Sequence, residues 1–302
     1  MKVFVAGASG AIGLPLVRQL AAAGHQVAGS TRSAGGAKRI SEAGGSPVTV
    51  DVFDRDSMIR VVGEAEPEVV INQLTSLPAR FEPKKKGYYD ANNRMRSVGG
   101  DHVIEATAAA GARRLITQSI SFLYALDGSR IKSEGDPVDR TGAHDATLAH
   151  ESKALDDERF ETVVLRYGLL YGPGTWYASD GHLTEEVRRR RLPVVGKGTG
   201  ITSFLHVDDA ASAAVSSLTK GRGIYNVTDD EPAPMSEWLP GLAAAVGAKP
   251  PRRVPVWLAR MVAGPQIAKV AVEGRGASNA KAKAELGWQP SIPSWRQGFL
   301  RI

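Results

Sequence analysis

Along the first half of this chain, short apolar runs alternate with longer stretches whose apolar residues recur at helical spacing. Met1-Lys2-Val3-Phe4-Val5 reads as a buried strand, and it stops at a glycine-rich turn. The Ala/Leu-rich stretch from Ala11 to Ala23 then reads as a helix closed by Gly24. Further strands are expected at Gln26 to Ser30, Pro47 to Val52, Glu68 to Leu74, Arg113 to Ser119 and Thr162 to Arg166, with a helix from about Asn93 to Ala110 before the fifth. Strands and helices alternating at this length predict an α/β fold with a doubly wound parallel sheet and right-handed crossovers. Ligands collect at the carboxyl ends of such strands, so Gly7, Arg32, Asp51, Thr75 and Ser119 should converge on one crevice. Later come a helix Asp209 to Leu218, a strand Ile224 to Val227, a helix Ser236 to Val246, a Pro/Arg-rich connector Lys249 to Val254 and an apolar helix Val256 to Ala263.

The turn Gly7-Ala8-Ser9-Gly10-Ala11-Ile12-Gly13 has the spacing of a dinucleotide cradle. Gly7 lets the chain leave the strand, Gly10 admits a pyrophosphate to the backbone, and Gly13 lets the helix lie close to the sheet. The free N–H groups and positive end of the helix would face the phosphates, which brings Ser9, Ala11 and Ile12 into the site. The competing reading is a tight strand-to-helix turn and nothing more. At the end of the second strand, Ala28 to Ser33 contains no acid to receive ribose hydroxyls and does contain Arg32. This favours NADP(H) over NAD(H): the guanidinium would grip a 2′-phosphate, helped by Thr31 and Ser33, with Lys38 or Arg39 adding charge. Otherwise Arg32 is a solvated loop residue. Asp51, followed by Val52, would meet the adenine or cap a helix, and Thr75 would stand beside the pyrophosphate and nicotinamide ribose. The polar loop from Ser76 to Tyr89 either flanks a substrate or moves freely.

With 302 residues, 42% of them apolar and 23% charged, the chain can build a large core. It has no cysteine, which excludes disulfides, a thiolate nucleophile and cysteine-bound zinc, and fits a reducing cytoplasm. No metal is implied. The opening apolar run is too short for a secretory signal, and no run reaches membrane-spanning length. The net charge of +6 comes from scattered basic residues without a nucleic-acid motif, so a phosphorylated small molecule is the expected anionic partner.

Four segments together resemble one family. They are Gly7 to Gly13, the run Leu165-Arg166-Tyr167-Gly168-Leu169-Leu170-Tyr171-Gly172-Pro173-Gly174, the run Phe204-Leu205-His206-Val207-Asp208-Asp209-Ala210, and Glu285-Leu286-Gly287-Trp288-Gln289-Pro290. In this order, spread over nearly the whole chain, they are similar to the extended or atypical short-chain dehydrogenases/reductases of the NAD-dependent epimerase/dehydratase type. The resemblance implies a Rossmann-type NAD(P)-binding domain over 1–170, joined by part of 203–230, and a small C-terminal α/β substrate lobe over 171–302. It also implies a homodimer through two helices per subunit, and a Tyr–Lys pair one helical turn apart with a Ser or Thr from the end of strand five.

On that template Lys153 holds the nicotinamide ribose, or is one more surface lysine, but four residues earlier stands Ala149 instead of Tyr. The strand-five hydroxyl falls on Ile120, between Ser119 and Ser121. Proton donors in place of the phenol are His150, which otherwise is an exposed helix residue, Tyr124, which otherwise packs, and water, with Ser121 as a further catalytic hydroxyl. Tyr167 and Leu169 are expected near the nicotinamide. Tyr171, Trp176, Tyr177 and Phe204 offer rings to a small-molecule substrate or wall the lobe. Arg188 to Arg191 reads as a solvated run, and Asp208 and Asp209 as the start and cap of a helix. The stretch before His206 lacks the arginine of nucleotide-sugar members. The expected activity is hydride transfer between NADP(H) and a small carbonyl, alcohol or polarised alkene. An epimerase or dehydratase, and a non-catalytic NADP(H) sensor, are the alternatives.

Overall fold

The computed structural model describes residues 1–142 and 144–302. Strands β1 (Lys2–Ala6), β2 (Gln26–Thr31), β3 (Ser46–Thr49), β4 (Val69–Asn72), β5 (Arg114–Ile120), β6 (Glu161–Tyr167) and β7 (Gly223–Val227) form one seven-stranded sheet. Its order is β7-β6-β5-β4-β1-β2-β3, and every pairing is parallel. The direction of winding reverses between β1 and β4, where a crevice opens above the strand ends. The α-helices of five residues or more among the described residues are α1 (Gly13–Ala22), α2 (Ala34–Glu42), α3 (Arg55–Ala65), α4 (Asp90–Arg94), α5 (Gly100–Ala109), α6 (Asp145–Asp156), α7 (His182–Arg188), α8 (Val207–Ser216), α9 (Met235–Ala245), α10 (Val256–Ala263) and α11 (Pro265–Glu273).

Successive side chains of a strand point to opposite faces, and the register uses this to build two cores. Val5, Ile71, Ile116 and Val163 pair across β1, β4, β5 and β6 and pack with Leu16 and Val17 of α1 and Ala210 and Ala214 of α8. Phe4, Val70 and Leu115, one residue earlier, face Met58 of α3, Ile104 of α5 and Ala154 of α6. A third core holds Tyr171, Phe204, Trp238, Trp295 and Phe299, all from the second half of the chain. Its rings meet edge-on, with Phe204 5.1 Å from Phe299 and 5.3 Å from Trp238.

Two features depart from the sequence pattern. The helix expected over 93–110 starts earlier and is interrupted by a π-helical turn, Met95–Gly99, between α4 and α5; such turns re-aim side chains and are common at functional sites. The start of α8 is capped by His206, whose Nδ1 accepts from Asp208 N at 3.2 Å, not by the acids. Asp209 instead reaches across 82 residues, accepting from Ser291 N and Oγ at 2.7 Å and from Ile292 N at 3.1 Å. Among the described residues no helix is long and apolar enough to cross a membrane.

Candidate active site

The crevice is built where the glycine turn leaves β1. Gly7 takes φ +81°, and a Cβ there would stand 2.9 Å from Gln73 O, so the turn passes against the end of β4 only because the side chain is absent. Ser30 braces the same turn: its hydroxyl accepts from Gly7 N at 3.1 Å and its carbonyl from Ala8 N at 3.2 Å. Ser9 and Thr31 share a hydrogen bond of 3.2 Å across the opening. Gly7, Ser9 and Gly10 form one wall, Thr31, Arg32, Val50 and Val52 the next, and Gln73, Leu74, Thr75 and Met95 the far one. A second hollow continues outward past Arg32 and Asp51 to Ser57 and Arg60 of α3. A dinucleotide fits this layout, with open backbone at the amino end of α1 and two guanidinium groups at the outer end. Ala11 and Ile12 lead into α1 behind Gly10, and Leu14 N closes the first bond onto Gly10 O at 3.1 Å.

Some helpers expected from the sequence are engaged elsewhere. The Ser33 hydroxyl caps α2 by accepting from Gly36 N at 3.1 Å. Thr31 Oγ1 is within hydrogen-bond range of both Ser9 Oγ and Ser33 N; exposed Arg32 is the charged residue common to both hollows, while Asp51 and Arg60, the latter 3.1 Å from Glu64, line the outer one. Asp51 caps no helix. Its Oδ1 accepts from Phe53 N at 3.0 Å, and Asp54 is the cap of α3.

The reacting end differs more from expectation. Lys153 lies on the outer side of α6, with its ammonium 2.7 Å from Asp101 of α5. The inner face of that helix carries Thr147, His150, Glu151 and Ala154. Position along a helix decides this: residues 147, 151 and 154 share a face that 153 does not. Glu151 is the buried anion, held by Arg166 of β6 at 2.5 and 2.9 Å and by the Ser119 hydroxyl. Ser119 is thus tied to the helix, while the buried Ser121 donates its backbone N–H to Tyr167 O at 2.8 Å.

Of the expected proton donors the Tyr124 phenol is engaged elsewhere, whereas among the described residues the Ser121 hydroxyl makes no hydrogen bond and the buried His150 Nδ1 has no partner. The Tyr124 phenol donates to Asn226 Oδ1 at 2.7 Å and accepts from Arg166 at 3.1 Å, and burial pushes it up despite that guanidinium. Tyr167 is enclosed, its hydroxyl accepting from Gln73 Nε2 at 3.0 Å, and burial pushes it up as well. Leu169 follows, half-buried. Tyr171, Tyr177 and Phe204 lie inside the lobe's core, not at the crevice mouth. Trp176 is the partly open ring of that set, donating to Pro78 O at 2.8 Å and lying 5.0 Å from Phe81. The sequence reading passed over Leu77 and Phe122, both 49% exposed just past the ends of neighbouring strands β4 and β5.

His150 is buried, with Nε2 2.8 Å from Thr117 Oγ1, and burial first, then Arg96, pushes its imidazole down to about 4. The unfolded chain protonates this residue below pH 6.5 while the folded chain holds it neutral to about pH 4. Stability is therefore full above pH 6.5 and falls on acidification by about 1.4 kcal/mol per unit, about 3 kcal/mol in all. Urea titrations between about pH 7 and pH 4 should show a steeper loss of stability in the wild type than in His150→Asn, which keeps only the contributions of groups such as His144 and His206. Equal slopes in the two proteins would contradict it.

Comparison with known proteins agrees with this layout. Residues 3–228 match the model of the NAD dependent epimerase/dehydratase family. The chain is 43% identical over 310 residues to a 3-diazoavenalumate denitrifying reductase of a Streptomyces species, covering all of both proteins. It is 29% identical over 275 residues to a 2-alkyl-3-oxoalkanoate reductase of Stenotrophomonas maltophilia, covering 82% of this chain and 76% of that protein. Among solved structures it resembles a UDP-glucose 4-epimerase of Thermus thermophilus in complex with NAD, with TM-score 0.76, 25% identity and coverage of 99% and 97%. The chain belongs to the NAD dependent epimerase/dehydratase family and is a reductase-type NAD(P)-dependent oxidoreductase.

Proposed function

We propose that this chain is an NADPH-dependent reductase that hands hydride to an aryl substrate bearing a diazo group, which leaves as N2. The observation that carries this reading is a dinucleotide crevice with Arg32 at its outer end and, among the described residues, both nearby phenols, Tyr124 and Tyr167, tied up in buried hydrogen bonds. When bound, the reduced nicotinamide supplies the hydride. Gly7, Gly10 and the amino end of α1 would hold the pyrophosphate, Arg32 with Arg60 the 2′-phosphate, and Thr75 the inner ribose.

A ketone accepting hydride becomes an alkoxide and needs a proton from a nearby acid. The Tyr124 and Tyr167 phenols are bound to Asn226 and Gln73, His150 is neutral on Thr117, and Lys153 sits outside the crevice. A diazonium group has no such need. Hydride adding to its terminal nitrogen gives an aryl diazene; the C–N bond then breaks with its electron pair left on carbon, the N–H pair stays in the departing N2, and the proton so released closes the C–H bond. Charge and electrons balance without a proton from the protein. Leu77 and Phe122, exposed beyond the ends of β4 and β5, would offer the ring apolar surface. The full-length similarity to a denitrifying reductase supports the same chemistry.

The test is NADPH oxidation with a 3-diazo-4-hydroxyaryl acid, with N2 measured as product, beside a 2-alkyl-3-oxoalkanoate. Turnover of the diazo compound with NADPH preferred to NADH is expected. Arg32→Ala should weaken NADPH by about 10–100-fold and leave NADH nearly unchanged. Reduction of the oxo acid alone would overturn the diazo assignment, and NADH preferred by the intact protein would overturn the cofactor assignment.

A further inference from the structure

Arg96 is the least explained charge in the molecule. It stands in the π-helical turn, one residue after Met95 of the crevice wall, and is only 7% exposed. Among the described residues its guanidinium makes no hydrogen bond and no ion pair. The nearest acid, Glu151, is already held in bidentate fashion by Arg166 and by Ser119. Its other titratable neighbours are His150, and His144 at the foot of α6; both are held below their usual range, burial being the main cause and Arg96 contributing in each case. Burial also pushes Arg96 itself down to about 10, even with Glu151 near. A guanidinium is too basic to shed its proton, so the region between the π turn and α6, beside the carboxyl end of β5, carries a surplus buried cation. Buried charges are matched by a counter-charge, and here the protein supplies none to spare.

We infer that Arg96 receives the carboxylate of the substrate, making this enzyme a reductase of small organic acids. The inference rests on the reductase reading and deepens it. Both relatives named above act on compounds named as carboxylates, a diazoavenalumate and an oxoalkanoate. A planar guanidinium pairs a carboxylate through two parallel N–H···O bonds, which fixes the acid end and so orients the reducible end. Arg96 is then a specificity-determining residue: it binds the non-reacting end and sets which molecules enter.

Two unreactive probes test this apart from turnover: 4-hydroxycinnamate and its methyl ester, titrated by calorimetry into the NADPH-loaded protein. The acid should bind more tightly than the ester by about 10–100-fold in the wild type, and Arg96→Met should abolish the difference while leaving NADPH affinity intact. Because Met removes an unmatched buried charge and keeps the volume, the variant should melt no lower than the wild type. Equal binding of acid and ester by the wild type overturns the inference. So does a Met variant that still discriminates, or one that melts far lower, which would make Arg96 a structural member. Failure of every diazo and oxo substrate to oxidise NADPH, with the acid–ester preference intact, would sink the reductase reading and leave Arg96 as a carboxylate site.

Discussion

Glu151→Ala should lose about 3–5 kcal/mol of stability, read as a lower urea midpoint with an unchanged slope. Both members of the Glu151–Arg166 pair are 4% exposed at the side chain. Taking the carboxylate away strands a guanidinium in the core and leaves the Ser119 hydroxyl without its acceptor. The loss reflects what is left behind and not the worth of the pair. Glu151→Leu combined with Arg166→Met should therefore regain most of it. A single-variant loss below about 1 kcal/mol would show that the pair is solvated in solution.

Gly13→Ala should weaken NADPH by at least about 100-fold, equivalent to about 2.8 kcal/mol, and destabilise the fold by about 1–3 kcal/mol. A Cβ at this position would lie 2.3 Å from Gly7 O and 2.6 Å from the carbonyl carbon and oxygen of Ala8. These are backbone atoms of the cradle itself, so α1 and the turn cannot both stay where they are. Gly10→Ala is the control: its Cβ would meet only Gly7 O, at 3.3 Å, and the empty fold should tolerate it. Any loss of NADPH there comes from crowding the phosphate path. Isothermal titration and thermal melting separate the two cases. A Gly13→Ala protein that binds NADPH as the wild type does would remove α1 from the site.

The parallel sheet and the crevice walls were legible because each depends on local signals: apolar runs of strand length, and glycines where a chain must turn against another backbone. The reacting end was not, because its signals are long-range. Lys153 and Glu151 are two residues apart on a helix bearing charge on both sides, and only contact with Arg166, fifteen residues on, turns Glu151 inward. Arg96 breaks the rule that charge faces water, so no periodicity could mark it. The rings of Tyr171, Tyr177 and Phe204 were visible as rings. Their partners Trp238, Trp295 and Phe299 lie far along the chain, and those partners draw them into a core instead of a binding surface.

The reach of Asp209 to Ser291 and Ile292 bears on how the molecule comes off the ribosome. A second carboxylate does the same, Asp229 accepting from Trp295 N at 2.8 Å. The acid in the first turn of α8 and the acid just past the edge strand thus wait for backbone made some 66 to 82 residues later. Contacts of such separation close late. The half of the sheet that carries the glycine cradle can assemble while translation continues, whereas the β7 edge is sealed only when residues 291–295 arrive.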